Sequence, residues 1–273
     1  MRWSTWPDRP SFLAAAGPYL RAAPLVNQIP LAIATQLEGA PARLHSVHDS
    51  DGTCLGAVVQ TPPYKPALSQ MTAAAATFAG AHFVAEHADV DGVLGPDEEA
   101  AAFAAAACEG RRVEIEQAMG LFSLRTVAEV RLPEGHRRPV DLDDTPLLHA
   151  WLRAFHEEAI PSDPPLPDDA GARTAARGRS HFWIDRGEPV AFACYGRELE
   201  GYVSVGPVYT PPACRGRGYA TGLVTEMSAA ALADGRVGCT LFTDLANPTS
   251  NRIYERIGYV RIGTMKRLVI SPP

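Results

Sequence analysis

Val208-Tyr209-Thr210-Pro211-Pro212-Ala213-Cys214-Arg215-Gly216-Arg217-Gly218-Tyr219-Ala220 joins an apolar, strand-like run to a helix. Two prolines end the run, and a tight Arg-Gly-Arg-Gly turn follows them. Beyond the turn, apolar residues recur at helical spacing: Leu223, Val224, Met227, Ala230 and Ala231. A glycine-rich turn that opens a helix presents free backbone N–H groups at the positive end of the helix dipole. The stretch therefore predicts a binding site for a phosphate or pyrophosphate.

Two common phosphate loops fit this turn poorly. The P-loop needs Gly-Lys-Ser/Thr at the helix start, but Tyr219 and Ala220 follow Gly218 here. The dinucleotide pattern Gly-x-Gly-x-x-Gly has Thr221 at its third glycine position. What remains is Arg-x-x-Gly-x-Ala, or else an ordinary strand–turn–helix that uses glycine for its geometry alone.

A second segment follows at a fixed distance. Residues 239–243 form a short β-rich run, and Asn247-Pro248 after it is typical of an N-cap with proline at the first helical position. Ile253 and Ile257 form an apolar helix face, and Gly258 is placed to end the helix.

Together the two segments closely resemble the acyl-coenzyme A site of the GNAT (Gcn5-related) N-acetyltransferases. The order and spacing of both match, from Arg215 to Gly258-Tyr259. The resemblance implies an α/β (α+β) fold with a mixed central sheet flanked by helices. It also implies transfer of an acetyl group from acetyl-CoA, a co-substrate, to a primary amine by direct attack.

The resemblance implies the residues that bind the coenzyme. Main-chain groups at the end of the strand would bind the pantetheine arm, namely Val208, Tyr209 and Thr210. The pyrophosphate would lie on the loop and helix start, namely Arg215, Gly216, Arg217, Gly218, Tyr219 and Ala220. Asn247 and Asn251 match a second coenzyme contact in the family, although Asn247 is equally well explained as a plain N-cap.

The resemblance also implies catalytic groups. Tyr254 is the candidate general acid for the departing thiolate, with packing beside Ile253 and Ile257 as its alternative role. The family often has a glutamate on the strand before the loop as general base, but residues 202–207 carry no acid. Glu200, just upstream, is the candidate base, and His156, Glu157 and Glu158 are further candidates.

The N-terminal half repeats the same order of predicted elements. Predicted strands flank a turn at Asp51-Gly52, as a later pair flanks Arg186-Gly187. We therefore predict a tandem fold, with a degenerate GNAT-like domain in residues 1–131 and the acetyltransferase domain in residues 132–273. The N-terminal counterpart of the phosphate loop, residues 61–70, has three prolines and no glycine, so it should bind no coenzyme. An unrelated N-terminal α/β domain is the alternative.

The charge and composition of the chain indicate which classes of partner and which sites to expect. A formal net charge of −6 argues against a nucleic-acid partner, and no apolar stretch is long enough to predict a membrane span. The five cysteines are scattered without a Cys-x-x-Cys pair, so free thiols in a cytoplasmic protein are expected and no metal site is predicted. The expected partner is a small-molecule or peptide amine, and the chain should be a monomer or a homodimer.

Two other functions fit the same loop. A non-catalytic acyl-CoA binding or sensing module would keep the loop without turnover. An anion-binding fold for a nucleotide or nucleic acid would be stabilised by those ligands instead of acetyl-CoA.

Overall fold

The computed structural model describes residues 1–36, 41–108 and 110–271. Within these ranges the chain forms eight helices and twelve strands and divides into two compact units. The first unit contains residues 1–121, 244–246 and 262–273, and the second contains residues 122–243 and 247–261. No helix in the described part of the chain combines the length and apolarity that a bilayer crossing requires.

The first unit is a mixed sheet with four helices. Its strands pair in the order β1-β2-β3-β4-β5-β12, and every pair is antiparallel except β4 with β5. The elements of the first repeat are β1 (Arg2–Thr5), α1 (Arg9–Ala22), α2 (Gln28–Gln36), β2 (Arg43–His48), β3 (Cys54–Gln60), β4 (Ala67–Leu68), α3 (Ala73–Glu86), β5 (Gly92–Pro96), α4 (Asp97–Ala107) and β6 (Arg112–Leu124).

The second unit has the same internal plan. Its strands pair in the order β7-β8-β9-β10-β11, and only β10 with β11 is parallel, as β4 with β5 is in the first unit. The elements of the second repeat are β7 (His136–Pro139), α5 (Thr145–Ala159), α6 (Ala170–Ala176), β8 (Ser180–Asp185), β9 (Glu188–Leu199), β10 (Tyr202–Tyr209), α7 (Tyr219–Ala233), β11 (Gly238–Asp244), α8 (Pro248–Ile257) and β12 (Val260–Ser271).

The two units therefore carry one topology twice. Each has two helices after its first strand, a helix within its parallel crossover, and another helix after the fifth strand. This confirms the predicted tandem fold. The predicted helix over residues 25–37 begins at Gln28 and ends at Gln36, and Leu37 lies outside the described residues.

The two compact units do not divide the chain between residues 131 and 132, where we predicted the boundary, because the last strand of each repeat does not lie wholly in one unit. The first unit ends within β6, at Leu121, and residues 262–271 of β12 belong to it. Strand β12 pairs with β5 from Met265↔Pro96 to Val269↔Gly92. Leu268 and Ile270 on β12 are buried in the core that α3 and α4 form with the strands of this unit.

Successive side chains along β8 and β9 point to opposite faces of the second sheet, and helices pack on both faces. Phe182 and Ile184 pack with helices α5 and α6, whereas Trp183 between them packs with α7. Helix α8 joins α7 over β10 and β11 through Tyr254 and Ile257. Both the end of β10 and the start of α7 are thereby fixed on rigid elements.

Candidate active site

The parallel strands β10 and β11 separate along their length. They pair only from Tyr202↔Gly238 to Ser204↔Thr240, although β10 continues to Tyr209 and β11 to Asp244. Two register shifts in β10 against β9, between Val203 and Val208, accompany the separation. Bulges of this kind bend a strand away from its neighbour. Among the described residues, the edge of β10 that faces β11 therefore has no strand partner at residues 205–209.

The loop after β10 leads directly into the N-terminus of α7. Gly216 has φ +77° and Gly218, the N-cap residue, has φ +83°, a region that only glycine enters at low cost. No side chain in the described chain caps α7. The amides of Tyr219, Ala220 and Thr221 therefore remain donors at the positive end of a 15-residue helix. This end of the helix is suited to bind an anion.

Arg215 fastens this loop to its surroundings. Its Nε donates to the Thr210 carbonyl oxygen at 2.9 Å, and its Nη2 donates to the Glu158 carboxylate at 2.9 and 2.7 Å. The guanidinium also lies 5.8 Å from the centre of the Tyr209 ring. The pair with Glu158 could not be predicted from the sequence, because the two residues are 57 positions apart.

Arg217 and Tyr219 form a second polar group at the loop. The Tyr219 hydroxyl donates to Asp185 Oδ2 at 2.5 Å, and this contact with the carboxylate raises the pKa of the phenol. A hydrogen bond with Tyr219 raises the pKa of Arg217, whose side chain is exposed. Arg217 therefore keeps its positive charge beside the open end of α7.

Tyr254 lies on α8 in the core that borders β10 and β11. Its side chain is 7% exposed and packs with Val203, Val205 and Leu241, and Val208 contacts the same cluster. Burial raises the pKa of its phenol to about 12. The structure thus brings Tyr254 into the cluster that Val208, near the end of β10, also contacts. Packing, the alternative role, also holds for this side chain.

Asn247 and Asn251 lie in the first turn of α8. The Asn247 Oδ1 accepts from the Ser250 backbone N–H at 3.1 Å, so this residue is an N-cap. Its side-chain N–H groups can still donate to a ligand, because capping uses only the oxygen. Asn251 is half-buried one turn further on.

Glu200 lies far from these groups. It occupies the exposed turn between β9 and β10 with φ +49°, at the opposite end of β10 from the loop. Eight strand residues at about 3.3 Å each separate it from Thr210. A general base must come within hydrogen-bond reach of its proton, so this position does not favour Glu200.

The corresponding place in the first unit is closed. Thr72 caps α3 by accepting from the Ala75 N–H, and the Met71 N–H donates to the Glu99 carboxylate at 3.1 Å. The Gln70 N–H donates to Asn27 Oδ1 at 2.7 Å. These amides are already satisfied, and a carboxylate stands where a phosphate would have to lie.

Comparison with known proteins agrees with this arrangement. The sequence model of the acetyltransferase (GNAT) family matches residues 145–259, which include β10, the loop, α7, β11 and α8. No curated protein matches the sequence.

Solved structures of similar fold extend over both units. A GNAT-family acetyltransferase from Colwellia psychrerythraea is 12% identical with a TM-score of 0.61, and 100% of each chain is covered. A GCN5-related N-acetyltransferase from Sphaerobacter thermophilus is 16% identical with a TM-score of 0.63, covering 97% of this chain and 93% of its own. A tandem GNAT protein from the clavulanic acid biosynthesis pathway is 15% identical with a TM-score of 0.58, covering 99% and 98%.

At these identities the solved structures establish the fold, and the family assignment comes from residues 145–259. The N-terminal unit shares the fold with them. Residues 145–259 therefore match the acetyltransferase (GNAT) family, and the chain as a whole has the fold of the solved GNAT structures.

Proposed function

We propose that the protein transfers an acetyl group from acetyl-CoA to a primary amine by direct attack on the thioester. The observation that carries this proposal is the uncapped α7 N-terminus, with Gly216 and Gly218 at positive φ, at the end of a strand that has lost its parallel neighbour. This arrangement offers separate surfaces for the pyrophosphate and for the extended arm of one ligand.

Each part of the coenzyme has its own binding residues. The pyrophosphate lies on the amides of Gly216, Arg217, Gly218, Tyr219 and Ala220, where the helix dipole favours negative charge. The pantetheine arm runs along the free edge of β10 at Val208, Tyr209 and Thr210, as an added strand would. Arg215 adds a positive charge for the pyrophosphate at the start of the loop, and Asn247 and Asn251 provide a second contact to the coenzyme at the start of α8.

Tyr254 donates its proton to the departing thiolate. A phenol that stays protonated at neutral pH is suited to this step, and the packing of Tyr254 in the cluster that Val208 contacts supports this role. The amine attacks the carbonyl carbon, the C–S bond breaks, and the amine's surplus proton leaves to solvent water. Only the second unit performs this reaction, because in the first unit the amides of Gln70, Met71 and Ala75 already have partners and the Glu99 carboxylate lies at the equivalent helix start.

Thermal stability in the presence of ligands tests the binding step. Acetyl-CoA at saturation should raise the melting temperature, whereas ATP and DNA should not, because a ligand stabilises only the fold that binds it. No shift with acetyl-CoA would refute the proposal, and a shift with ATP alone would favour the nucleotide function.

Two substitutions, Arg215→Ala and Glu158→Gln, distinguish the effect of the Arg215 charge on acetyl-CoA binding from the effect of the ion pair that holds Arg215 in position. Loss of the guanidinium should weaken acetyl-CoA binding by roughly tenfold or more, since hydrogen bonds to charged groups contribute about 1.5–3 kcal/mol. Glu158→Gln keeps the positive charge and breaks only an exposed ion pair, so a change under about threefold is expected. Equal effects of the two substitutions would contradict this assignment.

A panel of amines with detection of released thiol tests turnover. Release that depends on an amine supports acetyl transfer. Tight binding of acetyl-CoA without release from any amine would favour a sensing module.

A further inference from the structure

Three side chains that can bind a metal ion lie close together in the first unit, far along the chain from the loop at residues 215–220. His45 lies on β2, and Glu86 and His87 end helix α3. Each offers a ligand atom, and these atoms lie within 4.8 Å of one another. His45 is 1% exposed, whereas Glu86 is exposed and His87 half-buried. The cluster therefore has a closed inner side and an open outer side.

Hydrogen bonds around Thr5 fix the tautomer of His45. The Thr5 hydroxyl lies 3.1 Å from Glu86 Oε2 and 3.1 Å from His45 Nδ1. A carboxylate can only accept, so the single hydroxyl proton goes to Glu86. His45 Nδ1 must then carry the proton that it donates to Thr5. The lone pair of His45 is left on Nε2.

The two imidazoles face one another through these ring nitrogens. His45 Nε2 lies 3.0 Å from His87 Nε2. Two nitrogens that share a tetrahedral zinc at about 2.0–2.1 Å are separated by about 3.4 Å. The separation of the two nitrogens must therefore grow by about 0.4 Å, and both rings and the Glu86 carboxylate, now 3.7 Å from His45 Nδ1, must turn for all three to bind one ion. In its absence, His87 can donate a proton to His45 across the same gap.

Surrounding groups support the arrangement in the way that outer ligands support a metal site. Trp3 Nε1 donates to Glu86 Oε1 at 2.8 Å, and the Trp3 ring stacks on His45 with centroids 4.8 Å apart. Phe83 packs edge-on against both imidazoles. Side chains that orient a ligand histidine through its other nitrogen commonly determine metal affinity.

We propose that His45, His87 and Glu86 form a binding site for a divalent transition-metal ion, Zn²⁺ being the ion that suits two imidazoles and a carboxylate. The ion joins β2 to the end of α3 and leaves its outer position to water. Its role is to stabilise the first unit, because binding to the folded state alone raises stability. The site is independent of the acetyl-transfer chemistry.

Calorimetric titration of the chelator-treated full-length protein with Zn²⁺ tests the site. One ion should bind per chain, and zinc should raise the melting temperature. His87→Ala and Glu86→Gln should each weaken binding at least tenfold, whereas His136→Ala, which removes an exposed histidine from β7, should leave it unchanged. Co²⁺ in place of Zn²⁺ should give visible absorption bands of tetrahedral coordination that disappear in His87→Ala.

Failure of the wild-type chain to bind zinc, or unchanged binding in both cluster variants, would overturn the proposal. If circular dichroism shows that His87→Ala is unfolded, Glu86→Gln decides the question, because it keeps an acceptor for Trp3 and Thr5 while removing the ligand charge. Neither outcome depends on acetyl transfer, so the proposed function stands or falls separately.

Discussion

Tyr254 is the residue on which the proposed chemistry depends most, because its phenol is the proposed general acid. Tyr254→Phe removes one oxygen from a buried ring and leaves the packing with Val203 and Val205 in place. Because burial raises the pKa of this phenol to about 12, the group holds its proton at neutral pH, which is the form that a general acid needs. We expect kcat to fall by roughly a hundredfold or more, as for the loss of a general acid, with the Kd for acetyl-CoA unchanged.

Tyr259 provides a matched control for that measurement. Its ring lies 6.0 Å from Tyr254, and its hydroxyl lies 2.9 Å from Ser228 Oγ, a partner outside the proposed site. Tyr259→Phe should lower stability by about 1 kcal/mol through the lost hydrogen bond and leave kcat intact. Parallel losses of kcat and coenzyme affinity in Tyr254→Phe would mean that the hydroxyl positions the coenzyme and donates no proton to the thiolate.

His181 makes the stability of the second unit depend on pH. It is 8% exposed on β8, its Nδ1 has no hydrogen-bond partner among the described residues, and Tyr195 lies edge-on to it. Burial and, next, the charge of Arg137 lower its pKa from 6.5 to about 4. The folded state therefore excludes a proton that the unfolded chain takes up below about pH 6.5.

Stability should then fall as the pH is lowered from about 6.5 toward 4, by at most about 1.4 kcal/mol for each pH unit from this group. Urea unfolding at pH 7.5 and pH 5.0 measures the loss. His181→Gln cannot take up the proton and should show a smaller loss than the wild type, and His136→Gln should behave as the wild type does. An unchanged loss in His181→Gln would assign the pH dependence to other groups.

At the scale of elements, two turns each contain a glycine with a similar positive φ, and only one of these glycines lies in the proposed coenzyme site. Gly216 precedes α7 with φ +77°, and Gly187 joins β8 to β9 with φ +86°. A Cβ at either position would meet no atom within 4 Å. Alanine at each should therefore cost a similar 1–2 kcal/mol of backbone strain.

Only Gly216→Ala should weaken acetyl-CoA binding, because its methyl group and the relaxation of the loop would disturb the amides at the α7 N-terminus. Thermal melting measures the shared cost, and titration with acetyl-CoA measures the difference. Equal affinities in the two variants would show that the coenzyme does not approach Gly216.

Alternation and turn residues in the sequence predict strands over residues 43–48, 54–60 and 202–209, and β2, β3 and β10 have these bounds. The strand predicted over residues 113–131 ends earlier, at Leu124, and α7 begins directly after its glycine turn. The short strands β1, β4 and β7 were not predicted. A strand such as β7, His-Arg-Arg-Pro, has no apolar alternation and exists because β8 pairs with it.

The same limit applies to the sites. The phosphate loop is a continuous motif, so its residues could be named from the sequence. The Arg215–Glu158 pair and the His45–His87 contact join residues 57 and 42 positions apart, and only the fold brings them together. For this reason the sequence predicted no metal site in the first unit.

At the scale of the whole molecule, the placement of β12 decides how the chain can be divided. Residues 262–271 complete the first unit, although they lie at the end of the second repeat. Met265, Leu268 and Ile270 are at most 3% exposed there, and the Gly92 Cα packs against the Leu268 carbonyl oxygen so closely that no side chain would fit. A fragment of residues 1–131 lacks this strand and leaves the edge of β5 open.

Cutting the chain between residues 131 and 132 should therefore yield an N-terminal fragment that aggregates, because a long unpaired strand edge and an exposed apolar core both promote association. The fragment of residues 132–273 should carry the last strand as an unpaired apolar segment. Solubility and cooperative thermal unfolding of each fragment, compared with the full chain, measure this. Residues 1–121 joined through a flexible linker to residues 262–271 regain the missing strand and should fold where 1–131 does not. A soluble, cooperatively folded 1–131 fragment would show that β12 is dispensable to the first unit.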